Sequence, residues 1–175
     1  MAAVVALVAG AGRLAWSVWS AYARWGAAAF APRAAIRADR VVVDKSRGVL
    51  LLYDGDVAVA RYPVGFGFAP RGDKRREGDG RTPEGRYVLD WRRLSPRLGP
   101  AIHVSYPDAA DRARARAQGV DPGGGIMLHA LASELPWDAD PSERRWTKGC
   151  IGLPPRAMRE VWHAVADGTP IEIRP

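Results

Sequence analysis

The sequence predicts a mainly β domain with a few short helices at its periphery. Three observations support this prediction. Short apolar runs separated by turn residues fill the first half, only two segments of the body have helical character, and 19 glycines suit a chain rich in turns. A chain of 175 residues, 47% of them hydrophobic, is long enough for one domain with a real core. The density of hairpin signals argues against a parallel α/β sheet.

The first half consists of short predicted strands joined by tight turns. The predicted strands are 41–43, 49–53, 57–64, 86–91 and 101–106. Turn signals separate them at 46–48, at Asp54-Gly55 and at 82–85, and a loop rich in Arg, Gly and Asp covers 65–80.

The second half contains both predicted helices. Its elements are a helix at 108–118, a strand at 126–129, an irregular stretch at 130–146, a helix that begins at Pro154-Pro155 and a strand at 171–173. Asp108 can cap the first helix and Gly119 can end it. The second helix carries apolar residues at i, i+3, i+4 and i+7, which predicts one buried face formed by Met158, Val161, Trp162 and Val165.

Residues 1–37 differ from the rest and are expected to be an N-terminal signal or anchor segment preceding a folded domain at 38–175. Residues 1–31 are strongly apolar, and their aromatic side chains recur at every third position: Trp16, Trp19, Tyr22 and Trp25. Such aromatics are typical of a membrane interface, so membrane association through 1–31 is expected. Residues 29–31 offer a small-x-small cleavage pattern. The alternative is an amphipathic helix docked on the domain.

The net charge of +7 is unevenly distributed. Residues 1–37 contain four arginines and no acid, so 138 residues share the remaining +3. The body is therefore only mildly basic and has no nucleic-acid-binding motif, so no nucleic-acid partner is expected. A mildly basic surface also suits an anionic polymer such as the cell wall.

The segment 146–153 contains the one cysteine of the chain, which cannot form an intrachain disulfide. A lone cysteine can be a small buried hydrophobe, but the neighbours of Cys150 favour a nucleophile. Gly149 allows a tight turn that presents backbone N–H groups to an oxyanion, and Lys148 places positive charge beside the thiol. Ile151 and Leu153 alternate with glycine, as in a strand that anchors the loop.

A nucleophilic cysteine needs a base, and the sequence offers three histidines. His129 ends an apolar strand 21 residues before Cys150, a spacing that a returning loop can close. It is the candidate base, with a hydrogen-bonded core histidine as the alternative. His103 lies within a predicted strand and either faces the same cleft or packs internally. His163 is expected to be exposed on the second helix.

At these residues the sequence resembles the YkuD-type L,D-transpeptidase catalytic domain. That family's motif, a His followed after a gap by Ser/Thr-x-Gly-Cys and an apolar residue, is matched by His129, Thr147, Gly149, Cys150 and Ile151. The resemblance covers 38–175 and extends to the segments 41–46, 74–81, 82–87, 106–107 and 168–173. It implies a YkuD-like fold of the β-sandwich or barrel type, without a cofactor or metal, and a location in the cell envelope or periplasm.

The resemblance implies acyl transfer from a peptidoglycan stem peptide through a thioester on Cys150. His129 would be the base, oriented by the carbonyl of Ala130, and the backbone of Gly149 and Lys148 would hold the oxyanion. Substrate contacts are expected from Thr147, His103 and Arg81, with a solvated loop as the alternative for 71–81.

Two residues depart from the family pattern. Ala130 follows the histidine where the family usually has glycine, and Gly152 replaces the Arg or Asn two residues after the cysteine. Gly152 resembles an envelope subgroup that includes hydrolases, so a carboxypeptidase or crosslink-cleaving hydrolase remains an alternative to transfer. Two further alternatives are a zinc hydrolase with His103, His129 and Cys150 as ligands, and a non-catalytic wall-binding module.

Overall fold

The structure is a computed structural model that describes residues 36–96, 98–131 and 135–175. The predicted signal or anchor segment lies almost wholly in 1–35, outside the described residues. Within the described residues, no helix combines the length and apolar character needed to cross a bilayer.

The described part of the chain contains ten strands and two α-helices. The strands are β1 (Arg40–Asp44), β2 (Val49–Asp54), β3 (Val57–Pro63), β4 (Phe66–Gly67), β5 (Gly85–Ser95), β6 (Gly99–Val104), β7 (Met127–Ala130), β8 (Arg145–Thr147), β9 (Ile151–Leu153) and β10 (Thr169–Arg174). The helices are α1 (Ala109–Ala117) and α2 (Pro155–Ala164), with a 3₁₀ turn at Pro141–Glu143. The mainly β class with short helices is confirmed.

Eight of the described strands form one mixed sheet in the order β3-β2-β1-β10-β5-β6-β7-β9. The predicted hairpins are present as the antiparallel pairs β1–β2 and β2–β3. The sheet is not purely antiparallel, because β1–β10 and β7–β9 run parallel. A separate parallel pair joins β4, which lies in the predicted loop 65–80, to β8, which begins at the end of the predicted irregular stretch 130–146. Strands of two and three residues are too short to show a period in the sequence.

The core lies between the sheet and α2. Pro155 occupies the first turn of this helix, where a missing N–H costs nothing. Met158, Val161 and Val165 are buried as predicted, whereas Trp162 is only partly buried at the flank. The buried face meets core residues of the strands next to it, among them Ile102, Leu128, Ile151 and Leu153. Burial of this face against β6 and β7 fixes the strands that carry the candidate site.

Helix α1 begins as predicted and packs through an unusual face. Asp108 is its N-cap and forms a capping box with Asp111, whose carboxylate accepts from the Asp108 N–H. Asp111 is buried and also accepts a 3.0 Å hydrogen bond from the Tyr87 hydroxyl. A buried carboxylate therefore replaces much of the apolar face that a docked helix normally presents.

Candidate functional site

The loop between β8 and β9 is shaped by the Thr147 side chain. Its hydroxyl donates to the backbone carbonyl of Cys150 at 2.7 Å and accepts from the Gly149 N–H at 3.1 Å. The two bonds close a short turn that fixes the backbone of Cys150 just before it enters β9. The hydroxyl proton of Thr147 is thus used within the loop, and its contact with substrate stays a prediction.

Gly149 is required by both backbone conformation and space. Its φ of +135° is one that L side chains rarely adopt. A Cβ at this position would lie 2.8 Å from the carbonyl oxygen of Arg81 and 3.3 Å from Ile126 Cδ1. A Cβ on Gly67 would likewise meet the Gly80 carbonyl and lie 3.0 Å from the Gly149 Cα. Three backbone segments therefore pack directly against one another beside the cysteine.

Cys150 lies half-buried, with its Sγ 3.7 Å from the carbonyl oxygen of Gly125. Burial raises the pKa of the thiol above its ordinary value, while a backbone hydrogen bond from Met127 and the charge of Lys74 act in the opposite direction. Because the net direction is upward, the thiol is protonated near neutral pH. Its conversion to a nucleophile therefore needs a base.

Lys74 is the cation that acts on the thiol. Its side chain is buried, and its Nζ donates to the Asp79 carboxylate at 2.9 Å and to the Arg76 carbonyl at 3.0 Å. Lys148, predicted for this role from its place two residues before the cysteine, is exposed and is not among the groups that shift the Cys150 pKa. The chain turns between these two residues at Gly149, whose φ is +135°, whereas the loop 74–81 folds back against the cysteine loop.

Asp79 organises this second loop. Burial raises its pKa, but backbone N–H bonds from Arg75, Arg81 and Arg76 and the bond from Lys74 outweigh that effect, so the pKa lies below its ordinary value. Asp79 therefore stays ionised and holds the Arg81 N–H at 3.0 Å, which positions the Arg81 carbonyl against Gly149. The alternative of a solvated loop at 71–81 is wrong for Lys74 and Asp79, which are paired inside it.

His129 lies on β7 with its ring almost fully buried. Its Nδ1 is 2.9 Å from the backbone carbonyl of Ala130, as the family resemblance implied. A carbonyl oxygen can only accept, so Nδ1 carries the proton of the neutral ring. Nε2 is then the nitrogen that can take up a proton, which is the tautomer a general base requires.

Strand register places Cys150 and His129 on the same side of the sheet. His129 is paired with Gly152 and Leu128 with Ile151 across the parallel strands β7 and β9. Leu128 and Ile151 belong to the core, so His129 and Gly152 face the opposite side, and Cys150, two residues before Gly152, shares that side. Ideal strand geometry puts the two Cα atoms about 8 Å apart, which side chains can bridge.

His103 lies on this same side, since it alternates with the core residues Ile102 and Val104. Its register partner is Met127, and extending the β7–β9 register by one residue puts Met127 beside Cys150. Its Nδ1 lies 2.7 Å from the Asp90 carboxylate, and its ring stacks on Trp91. We call the line formed by Cys150, which immediately precedes β9, Met127 on β7, His103 on β6 and Trp91 on β5 the cysteine row.

The other residues that the sequence analysis considered do not all lie at the cysteine loop. Arg81 borders the cysteine loop through its carbonyl, while its guanidinium donates to the Asp73 carbonyl at 3.2 Å. The N–H of Gly149 is engaged by Thr147, which leaves the amides of Cys150 and Lys148 as candidate oxyanion donors. His163 is exposed on α2, as expected.

A metal centre has no support in the geometry. The zinc alternative needs His103, His129 and Cys150 to converge, and within 36–96, 98–131 and 135–175 no three His, Cys, Asp or Glu side chains are grouped to hold a metal ion.

Sequence reasoning missed Lys74, Asp79 and Thr82. Thr82 is fully buried and accepts from the Gly67 N–H at 3.2 Å, which ties β4 to the loop beside the cysteine. The sequence offered one signal for them, a charged loop that is rich in glycine and ends in Thr-Pro-Glu-Gly. Charge in a glycine-rich loop normally indicates solvent exposure, and nothing in the pattern indicates burial.

Comparison with known proteins identifies a family. Residues 38–173 match the family model described as YkuD, L,D-transpeptidase catalytic domain. No curated protein sequence matches the chain significantly.

Solved structures with a similar fold include two bacterial proteins. The helical cell shape determining protein Pgp2 from Campylobacter jejuni is 27% identical, with a TM-score of 0.58 over 76% of this chain and 46% of that chain. Bd1075 from Bdellovibrio bacteriovorus is 24% identical, with a TM-score of 0.55 over 79% of this chain and 48% of that one.

An L,D-transpeptidase from Enterococcus faecium, solved in a mutant form, shares the fold at 16% identity, with a TM-score of 0.52 over 79% of this chain and 50% of that one. The chain thus spans about half the length of the solved proteins that it matches.

Proposed function

Because this chain belongs to the YkuD family of L,D-transpeptidase catalytic domains, we propose that it is a peptidoglycan L,D-transpeptidase that transfers an acyl group through Cys150. The observation that carries the proposal is the combination of Cys150 and His129 on one side of the sheet, with His129 held as the Nδ1-protonated tautomer by Ala130. That is the arrangement a cysteine and its general base require.

The first half-reaction forms the thioester. Nε2 of His129 removes the thiol proton, and the sulfur of Cys150 attacks the carbonyl carbon between the third residue of a tetrapeptide stem and its terminal D-Ala. The backbone N–H of Cys150 and that of Lys148 stabilise the oxyanion. The carbon–nitrogen bond then breaks, and the His129 imidazolium protonates the departing amine of D-Ala.

The second half-reaction decides between transfer and hydrolysis. A side-chain amine from a second stem, or an amine on a protein attached to the wall, attacks the thioester and loses a proton to His129. The carbon–sulfur bond breaks, and the thiolate recovers a proton. Attack by water in place of the amine gives an L,D-carboxypeptidase, or a hydrolase that cleaves crosslinks.

One observation favours keeping the hydrolytic alternative. Leu131 covers Gly152, so that a Cβ there would lie 2.7 Å from Leu131 Cγ. The place where many family members carry a polar side chain is therefore closed by an apolar one. An L,D-carboxypeptidase, whose acceptor is water, needs no polar group to hold a second stem.

The proposed location is the cell envelope, since the substrate lies there. Residues 1–31 would anchor or export the chain, and 38–175 would form the catalytic domain. The resemblance to a helical cell shape determining protein supports a role in wall remodelling that affects cell shape.

The decisive experiment incubates the full chain with disaccharide-tetrapeptide and identifies products by mass spectrometry. Crosslinked dimers with loss of D-Ala are expected, with a Cys150→Ala chain giving no product and no thioester adduct. Tripeptide alone identifies the carboxypeptidase. Turnover that survives Cys150→Ala refutes the proposal. A folded wild-type chain without turnover or adduct on this substrate or on intact wall identifies a binding module.

A further inference from the structure

Trp91 is an exposed aromatic residue in the cysteine row. It is 41% exposed, although large aromatic side chains are usually placed where they lose most of their contact with water. The ring lies on β5, in the same sheet and on the same side as His129. The proposed chemistry does not use it.

A β-bulge in β5 determines the side of the sheet on which this ring lies. Leu89 pairs with Val104 and Arg92 pairs with Ile102, so Asp90 and Trp91 together face the single residue His103. In a bulge of this kind, which adds one extra residue, the two residues that face a single partner point to the same side of the sheet, and bulges are common where a strand must redirect a side chain near a site.

The ring is also held in a defined orientation. His103 stacks on Trp91 with ring centroids 4.6 Å apart and an angle of 12° between the planes. The His103 ring is itself fixed by the 2.7 Å contact of its Nδ1 with Asp90. The guanidinium of Arg93 lies 5.7 Å from the Trp91 centroid. His103 thus covers one face of the indole and the Arg93 guanidinium lies over the ring, so the part that stays open to solvent has a carboxylate and a guanidinium beside it.

Distance along the row relates this surface to the cysteine. Trp91 lies three strand spacings from Cys150, which is about 14 Å at the usual separation between strands. An extended tripeptide spans about 10–11 Å, and the lactyl ether that attaches a stem to its sugar adds a few more. When the third stem residue is at Cys150, a stem laid along the row brings its sugar to Trp91.

We propose that Trp91 is the platform for the N-acetylated muramyl sugar that carries the stem peptide. One face of a pyranose ring presents C–H groups that pack on an indole, while its hydroxyl and acetamido groups can reach Asp90 and Arg93. His103 is a positioning residue, because its stacking on Trp91 holds the indole in the orientation that packing against a sugar ring requires. The proposal rests on the proposed function, since it takes the stem at Cys150 as its starting point.

The test compares two substrates on the full chain, disaccharide-tetrapeptide and free tetrapeptide, by the rate of D-Ala release. Trp91→Ala is expected to lower kcat/KM for the disaccharide substrate about tenfold and to leave the free tetrapeptide unchanged. Trp91→Phe should retain part of the preference. Tyr53→Ala is the matched control, since Tyr53 lies on β2 under the Arg40 guanidinium at 4.2 Å, outside the cysteine row.

Equal loss on both substrates would show that Trp91 acts on the peptide or on the fold, and would overturn the proposal. Failure of the proposed function is a different result, in which the wild-type chain turns over neither substrate. In that case titration of the peptide-free disaccharide into Cys150→Ala and into Cys150→Ala/Trp91→Ala decides. Binding to the first variant alone supports the platform, and equal or absent binding refutes it.

Discussion

The two ends of the large sheet place their residues by different means. At one end, β1, β2 and β3 follow one another in sequence through tight turns, and Gly55 has φ +57° with open space around its Cα. At the other end, β7 and β9 are parallel, and Gly149 has φ +135° and packs against the Arg81 carbonyl. A glycine at the first end lets the chain turn, whereas the glycine at the second lets separate backbones meet. The candidate site lies at the end of the sheet where contacts between distant segments set the backbone geometry.

The largest expected effect of a substitution at the site end of the sheet is the loss of thioester formation when His129 is replaced. His129→Ala removes the base, so thioester formation should fall about 10²–10⁴-fold, and the loss of a buried ring should also lower the thermal unfolding temperature. Mass spectrometry of the acyl-enzyme, at a series of times after mixing with tetrapeptide, measures this rate. His163→Ala, on the exposed side of α2, is the control and should acylate normally. Normal acylation by His129→Ala would instead assign the base to His103.

A paired glycine experiment tests the contrast directly. Gly149→Ala adds strain at a positive φ and a contact with a backbone carbonyl that cannot move aside, so stability should fall by about 1–3 kcal/mol and turnover by at least about tenfold. Gly55→Ala meets no atom and should cost about 1 kcal/mol with turnover unchanged. Urea unfolding and D-Ala release measure the two quantities. Similar turnover in both variants would show that the close packing at Gly149 is not needed for chemistry.

The smallest expected effect is electrostatic and compares two buried lysines. Lys74 pairs with Asp79 at 2.9 Å, and Lys45 pairs with Glu84 at 2.7 Å, but only the Lys74 charge lowers the Cys150 pKa. Lys74→Met should therefore raise the pKa of Cys150, and the pH profile of its alkylation by iodoacetamide should move to higher pH. Lys45→Met should leave the profile in place.

The charged groups near the thiol define how this profile is interpreted. They are Lys74, its partner Asp79 and the exposed Lys148, and the neutral ring of His129 lies on the adjacent strand. Loss of Lys74 leaves the Asp79 carboxylate without its cation, which also disfavours a nearby thiolate. Lys74→Arg should restore the wild-type profile, because it returns the charge. A profile that shifts equally in Lys74→Met and Lys45→Met would point to general loosening of the fold.

The first end of the sheet was predictable because its information is local. Valine runs and the Asp54-Gly55 turn define strands and register over a few residues. Cys150 and His129 were identified as candidates for a similar reason, since the residue types and motif spacing are visible in sequence. The orientation of His129 by Ala130 also followed from the family resemblance.

The supporting residues were not predictable because their roles depend on distant segments. Lys148 lies two residues before Cys150 in sequence, yet the buried Lys74 supplies the charge, since loop 74–81 packs against the cysteine loop. The bulge at Asp90 and Trp91 could not be predicted either. A bulge is an irregularity in the pairing of two strands, here β5 and β6, and it leaves no pattern in the sequence of either strand. The contacts of β4 with β8 involve too few residues to leave a pattern.

The position of β10 has a consequence for the order in which the molecule can assemble. This strand, Thr169–Arg174, lies between β1 and β5 and joins the two halves of the sheet. Among the described strands it is the last in sequence, so the hairpin half and the site half cannot be joined until residues 169–174 have emerged from the ribosome. Loss of residues 169–175 would therefore leave two half-sheets with exposed edges and no strand between them.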